Sequence, residues 1–338
     1  MISRNFFMKN NLLECDLSNV KDGRLVAFLW RPFKSVKHST FKKNSVVGNL
    51  NHSLTYFSKV KQITILLFLG LANLVVGQDF RAAAIQQYAE GNYDVALHSI
   101  NQLEKLESCD YFIKANALQK LGQFQQASLN YNEAKSNGCK DESLLLNNGI
   151  CEYSLGNLSE SVQLLKLYAR EHKANFQGHY WLASAYYLQH KYSKSRQALE
   201  TVFSLNENYA PAYFLDAAIH QSRKQYGAAA ETFLEAYAID STLEEAHLQA
   251  GISLLDFQKY EEALTIFKQM AKPSSKSYIQ ALYYVGETSY LLKENEEACK
   301  YWKAAAEAGD YDSKEIVRTW CENKKTPIFK IRSSRLKF

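Results

Sequence analysis

Gly91-Asn92-Tyr93-Asp94-Val95-Ala96 comes back along the chain. It returns as Gly122 to Ala127 and Gly156 to Ser161, then His190 to Ser195, Lys224 to Ala229, Gln258 to Ala263 and Lys293 to Ala298. The small residue that closes each copy, at 96, 127, 161, 195, 229, 263 and 298, recurs at steps of 31, 34, 34, 34, 34 and 35. Twelve residues earlier stands a second small residue: Ala84, Ala115, Gly149, Ala183, Ala217, Gly251 or Gly286. Four residues later stands a bulky one: Ile100, Tyr131, Leu165, Leu199, Phe233, Phe267 or Trp302. A large side chain also lies three residues before six of the closing positions, as Tyr93, Phe124, Leu158, Tyr192, Tyr226 and Tyr260, with Asn295 in the seventh. A fixed period of this length marks a repeat architecture.

The spacing predicts two helices per copy. Small residues on facing sides let the two backbones approach closely, and bulky ones fill the seams between neighbouring copies. The turn Glu90-Gly91-Asn92 suits this, since glycine takes a positive φ at no steric cost. One copy cannot bury its apolar face alone, so stacking stabilises the array. Composition agrees: 14 Gly and 4 Pro among 338 residues is far below the usual share of turn-formers. That excludes a β-sandwich, a collagen or a Pro/Gly-rich disordered chain.

At these residues the chain resembles the tetratricopeptide repeat, over roughly residues 78–312. The resemblance implies an all-α, right-handed superhelical solenoid of about seven helix pairs. The copies depart from the family pattern in places. The 31-residue first step implies a connection shortened near Leu106-Glu107-Ser108, Ser replaces Ala at 161 and 195, and most copies lack the closing Pro. Residues 313–323, with Val317 and Trp320 on one face, read as a capping helix before a basic tail, 324–338.

The resemblance also implies a groove for a peptide or partner protein, lined by the first helix of each pair. Mapped onto this sequence, that groove takes Phe112, Asn116, Asn147, Tyr180, Tyr187, Phe214, Gln221, Tyr283 and Tyr290. Tyr180 and Tyr187, like Tyr283 and Tyr290, are seven apart and share a helical face. The competing reading is that these aromatics fill seams between helices, and Trp181 leans that way. The carboxylate clamp of chaperone-binding relatives is excluded. Asn116 and Asn147 occupy its two Asn slots, but Phe112, Ser143, Gln177 and Trp181 stand at or beside the slots that require cations. Without cations nothing offsets desolvation of the anion.

The charge is uneven. Residues 1–61 hold eleven basic and three acidic groups, and the last fifteen residues hold six basic groups and no acid. The intervening body carries 23 basic and 32 acidic groups, a net of −9, which disfavours nucleic acid as a partner. From Ile63 to Gly77 runs an apolar stretch preceded by Lys59 and Lys61, and residues 59–77 match a secretory signal peptide. A membrane role is then confined to that segment if it stays uncleaved. Because it lies far from Met1, residues 1–58 read as a non-native or disordered extension, with translation starting near Val60. The rival is a genuine basic presequence. The signal style suggests a bacterial periplasm or cell envelope.

Five cysteines follow the signal segment, so at least one thiol stays unpaired, and Cys299 with Cys321 is the candidate pair. No sequence pattern for a metal, nucleotide or nucleophilic site appears. The Glu pairs at 244–245, 261–262 and 296–297 fall at helix starts, where negative charge suits the helix dipole. The expectation is a non-catalytic, exported protein-binding scaffold without cofactor. The alternative is a permanently docked subunit of an envelope assembly or secretion complex.

Overall fold

The computed structural model describes residues 79–322, so the signal segment, the upstream extension and the basic tail lie outside the described residues. Among these residues there are helices and no strands. The first helix covers 79–89 (α1) and is followed by α2, Tyr93–Asn101. Then come α3, Ser108–Lys120; α4, Phe124–Ser136; α5, Leu144–Leu155; and α6, Leu158–Glu171. The chain continues through α7, Phe176–Leu188; α8, Tyr192–Leu205; α9, Ala210–Ser222; and α10, Tyr226–Ile239. It ends with α11, Glu244–Asp256; α12, Tyr260–Met270; α13, Tyr278–Leu291; α14, Asn295–Glu307; and α15, Tyr311–Ile316, which runs into a π-helical turn, Val317–Cys321. Odd-numbered helices are the first members of pairs, and even-numbered ones the second. Two compact units divide the chain between Leu144 and Leu145.

The repeat phase matches the packing. All seven closing residues, from Ala96 to Ala298, are fully buried, and so are the bulky residues four positions on, from Ile100 to Trp302. The mechanism is visible at the glycines. A Cβ on Gly149 would sit 2.7 Å from Leu165, one on Gly251 2.5 Å from Phe267, and one on Gly286 2.6 Å from Trp302. In these three pairs the small slot of the first helix is therefore the seat of the bulky side chain on its partner. Where Ser replaces Ala, the hydroxyl is put to use: Ser161 Oγ donates to the Gly149 carbonyl at 2.8 Å and Ser195 Oγ to the Ala183 carbonyl at 2.7 Å. A buried hydroxyl without such a bond would cost free energy.

Every first helix ends the same way. The residue five positions before each closing slot has positive φ: Gly91, Gly122, Gly156, His190, Lys224, Gln258 and Lys293. The next N–H reaches back to close a Schellman turn, as Gln123 N to Leu118 O and Lys259 N to Leu254 O, both at 2.9 Å. Left-handed geometry suits glycine and strains the other four residues. Gln258→Gly is expected to stabilise the fold by about 0.5–1 kcal/mol, the strain relieved less the chain entropy lost. Denaturant unfolding of the variant checks this.

In the unit ending at Leu144, the shortened first step comes out of α2, which has 9 residues where α4 has 13. The expected shortening near Leu106-Glu107-Ser108 thus falls within the preceding helix instead. An ion-pair clip spans that connection. Arg81 Nε donates to Asp110 Oδ1 at 2.8 Å and its Nη2 meets Glu107 Oε1 at 2.9 Å. The Glu107 N–H donates to Asp110 Oδ2 at 2.7 Å, part of a capping box for α3. Hydrogen bonding to Asp110 raises the Arg81 pKa. Cys109, in the first turn of α3, is bonded to Cys139 just beyond α4, which closes the open end of that pair.

In the unit starting at Leu145, each second helix packs on the next first helix: α6 on α7, α10 on α11, α12 on α13. The longest connection, after α12, is held by Glu244 at the start of α11, whose Oε2 accepts from Ser275 Oγ at 2.7 Å and Lys276 N at 2.8 Å. At the end, Cys299 of α14 is bonded to Cys321, and Trp320 sits edge-on to Tyr290 at 5.1 Å and Trp302 at 5.5 Å.

Candidate functional site

The nine residues mapped to a groove all lie on first helices, and most are buried. Tyr180 and Phe214 are 0% exposed. Phe214 stands edge-on to Phe233 of its own second helix at 5.1 Å, and Tyr180 packs edge-on to Tyr209 at 5.1 Å. Phe112 is likewise buried against Tyr131, with centroids 6.0 Å apart. These three are corrections to the groove assignment. At their phase a first-helix aromatic meets a bulky group on a neighbouring element, so the side chain is used within the stack.

The polar members are internal too. Asn116 is buried and accepts from the Tyr131 hydroxyl at 2.7 Å, and Asn147 is buried as well. Tyr187 is buried beside Tyr192, and its hydroxyl is 3.3 Å from Ser222 Oγ. Burial pushes the Tyr187 pKa up to about 12, against the opposing effect of the hydrogen bond with Ser222. Tyr283 is buried edge-on to Tyr284. Tyr290 alone of the nine keeps intermediate exposure, set between Trp302 and Trp320.

Gln221 joins a polar ladder across α9 and α11 that the sequence did not reveal. Its Nε2 lies 3.4 Å from Gln249 Oε1 and 3.3 Å from Ser253 Oγ, and Gln249 Nε2 donates to Glu245 Oε1 at 2.9 Å. Burial raises the Glu245 pKa, opposed by the Gln249 bond. One turn before the buried row, Gln280 is exposed and Gln177 and Glu245 are half-buried. No cluster of metal-binding groups occurs among the described residues.

Asp256, which ends α11, is the other perturbed acid: burial lifts its pKa to about 6 from an ordinary 3.8. With the folded value above the unfolded one, the folded chain holds the proton more tightly. The contribution of Asp256 to stability is therefore largest below about 4 and falls as pH rises toward about 6. Asp256→Asn is expected to abolish that decline, which thermal melts between these pH values would show.

No protein-family model and no curated protein matches the sequence. Solved structures do. A tetratricopeptide repeat protein from Parabacteroides merdae ATCC 43184 superposes with a TM-score of 0.54 at 16% identity, over 72% of this chain and 98% of its own. The fold is that of the tetratricopeptide repeat. Partial likenesses extend to MamA from Desulfovibrio magneticus RS-1, at TM-score 0.46 and 15% identity over 50% of this chain and 97% of that one. YrrB, described as a TPR protein with an unusual peptide-binding site, scores 0.46 at 15% identity over 56% of this chain and 97% of its own. In tetratricopeptide terms the ladder and the row of Gln177, Glu245 and Gln280 both belong to first helices.

Proposed function

We propose that this protein is a non-catalytic, exported scaffold that binds a peptide or partner protein along the first-helix face of residues 145–322. The observation that carries the reading is the row Gln177, Glu245 and Gln280, exposed at Gln280 and half-buried at the other two, which recurs one turn before a buried large residue in three first helices. Repeat folds present such recurring faces as extended binding surfaces. Tyr290 supplies a partly exposed aromatic of the kind that anchors interfaces. Of the residues mapped to the groove, Tyr290 remains partly exposed on this face, and Gln177, Glu245 and Gln280 extend it as the contact row. Export to the periplasm or cell envelope is supported by the pairs Cys109–Cys139 and Cys299–Cys321, since disulfides persist in oxidising compartments.

A photo-crosslinking residue placed at Gln177 or Gln280 of the full chain in living cells tests the face. Adducts to a common protein are expected from these positions and not from Leu205 or Leu234, which are exposed on second helices. Equal capture from both sets, or none from the first, would withdraw it.

A further inference from the structure

We propose that the turn between α7 and α8, together with the end of α9, is a receptor for the carboxylates of an acidic peptide segment, a contact surface distinct from the first-helix face. A cavity of about 350 Å³ opens there, lined by His190, Lys191, Tyr192, Ser193, Lys194 and Arg223. The lining holds three permanent cations, an imidazole and two hydroxyls, and no carboxylate. Its cations have no acid of their own. Among the described residues, none of Lys191, Lys194 and Arg223 takes part in an ion pair. Lys191 Nζ donates only to Gln189 Oε1, at 2.7 Å, and the Lys194 ammonium lies 5.9 Å from the Tyr186 ring centre.

The local charge departs from the rest of the chain. From Glu171 to Glu200 no acidic residue intervenes, and between Glu207 and Glu231 there is only Asp216. Asp216 is already engaged, 3.0 Å from Arg196 Nε and 3.7 Å from His220 Nε2. Four other second helices place acid in their first turn, at Asp94, Glu160, Glu261 with Glu262, and Glu296 with Glu297. That choice complements the positive helix end. The corresponding position of α8 holds Lys194, and the N-cap Lys191 makes no side-chain cap bond. Cations converging on a positive helix end repel one another, and a bound carboxylate relieves that repulsion while accepting charge-assisted hydrogen bonds.

Charge also selects the partner. The body carries a net −9 between its basic termini, so a long polyphosphate leaving the cavity would be repelled along the fold. A short acidic segment engages the cavity and ends. The turn is separate from Gln177 and Gln280, so the two surfaces fail or stand independently.

The test uses the full chain and a fluorescein-labelled peptide of alternating Glu and Asp. Lysine acylation read by mass spectrometry should show Lys191 and Lys194 protected at least fivefold by the peptide, with Lys300 and Lys303 unprotected. In anisotropy titrations, K191A/K194A/R223A should lose at least tenfold in affinity. The charge-matched control K300A/K303A/K314A, built on exposed cations of the last pair and its cap, should retain it. Equal losses in both triple variants, absence of protection at Lys191 and Lys194, or tighter binding of single-stranded DNA through the same three residues would overturn the proposal.

Discussion

Phe214→Ala is expected to cost about 3–5 kcal/mol of stability, the range for deleting a buried aromatic. Phe214 is 0% exposed and its ring meets Phe233 edge-on at 5.1 Å, so the change removes both apolar burial and an aromatic contact. The loss should spread, because neighbouring pairs stabilise one another. Circular dichroism melts would show an early transition, with Tyr180→Ala behaving alike. Tyr290→Ala should spare more of the fold, since that ring keeps intermediate exposure. If Phe214→Ala left the melt unchanged, the packing of α9 on α10 would need revision.

Reduction is the second large perturbation. The bonds Cys109–Cys139 and Cys299–Cys321 close loops of 30 and 22 residues. On the chain-entropy account, loops of that size stabilise by ~3 kcal/mol each. Cys321→Ser is expected to release the π-helical turn and loosen Trp320 from Tyr290 and Trp302, which Trp fluorescence would register as a red shift. Cys109→Ser should act on the other unit without that signal. A reductant that leaves the melting curve in place would argue against both bonds.

How far the sequence was readable depends on which residues speak locally. The small, bulky and turn positions are set by close backbone approach inside a single helix pair, so a 34-residue comparison exposes them. Cys299–Cys321 was accessible for the same reason, with its cap adjoining the last pair. Cys109–Cys139 was missed although the repeat phase contains it: Cys109 opens the first helix of its pair and Cys139 follows the second, at the same end. The groove was the weak reading, because the same helical phase serves a ligand-facing aromatic and a seam-filling one. Only the neighbour decides, and for Phe214 that neighbour is Phe233. The ladder from Gln221 to Gln249 and Ser253 joins residues roughly 30 apart whose side-chain reach no periodicity encodes.

The matched small and bulky slots limit how this chain can be recombined. Gly286 exists to admit Trp302, Gly251 to admit Phe267, and Gly149 to admit Leu165. A single helix moved between copies would bring the wrong volume to its partner, either a Cβ driven into an indole or a hollow where a ring had been. Duplication, deletion or grafting that respects the hairpin keeps each lock with its key, so the heritable module of this fold is the helix pair, and repeat libraries built from it should be cut only at the connections between pairs.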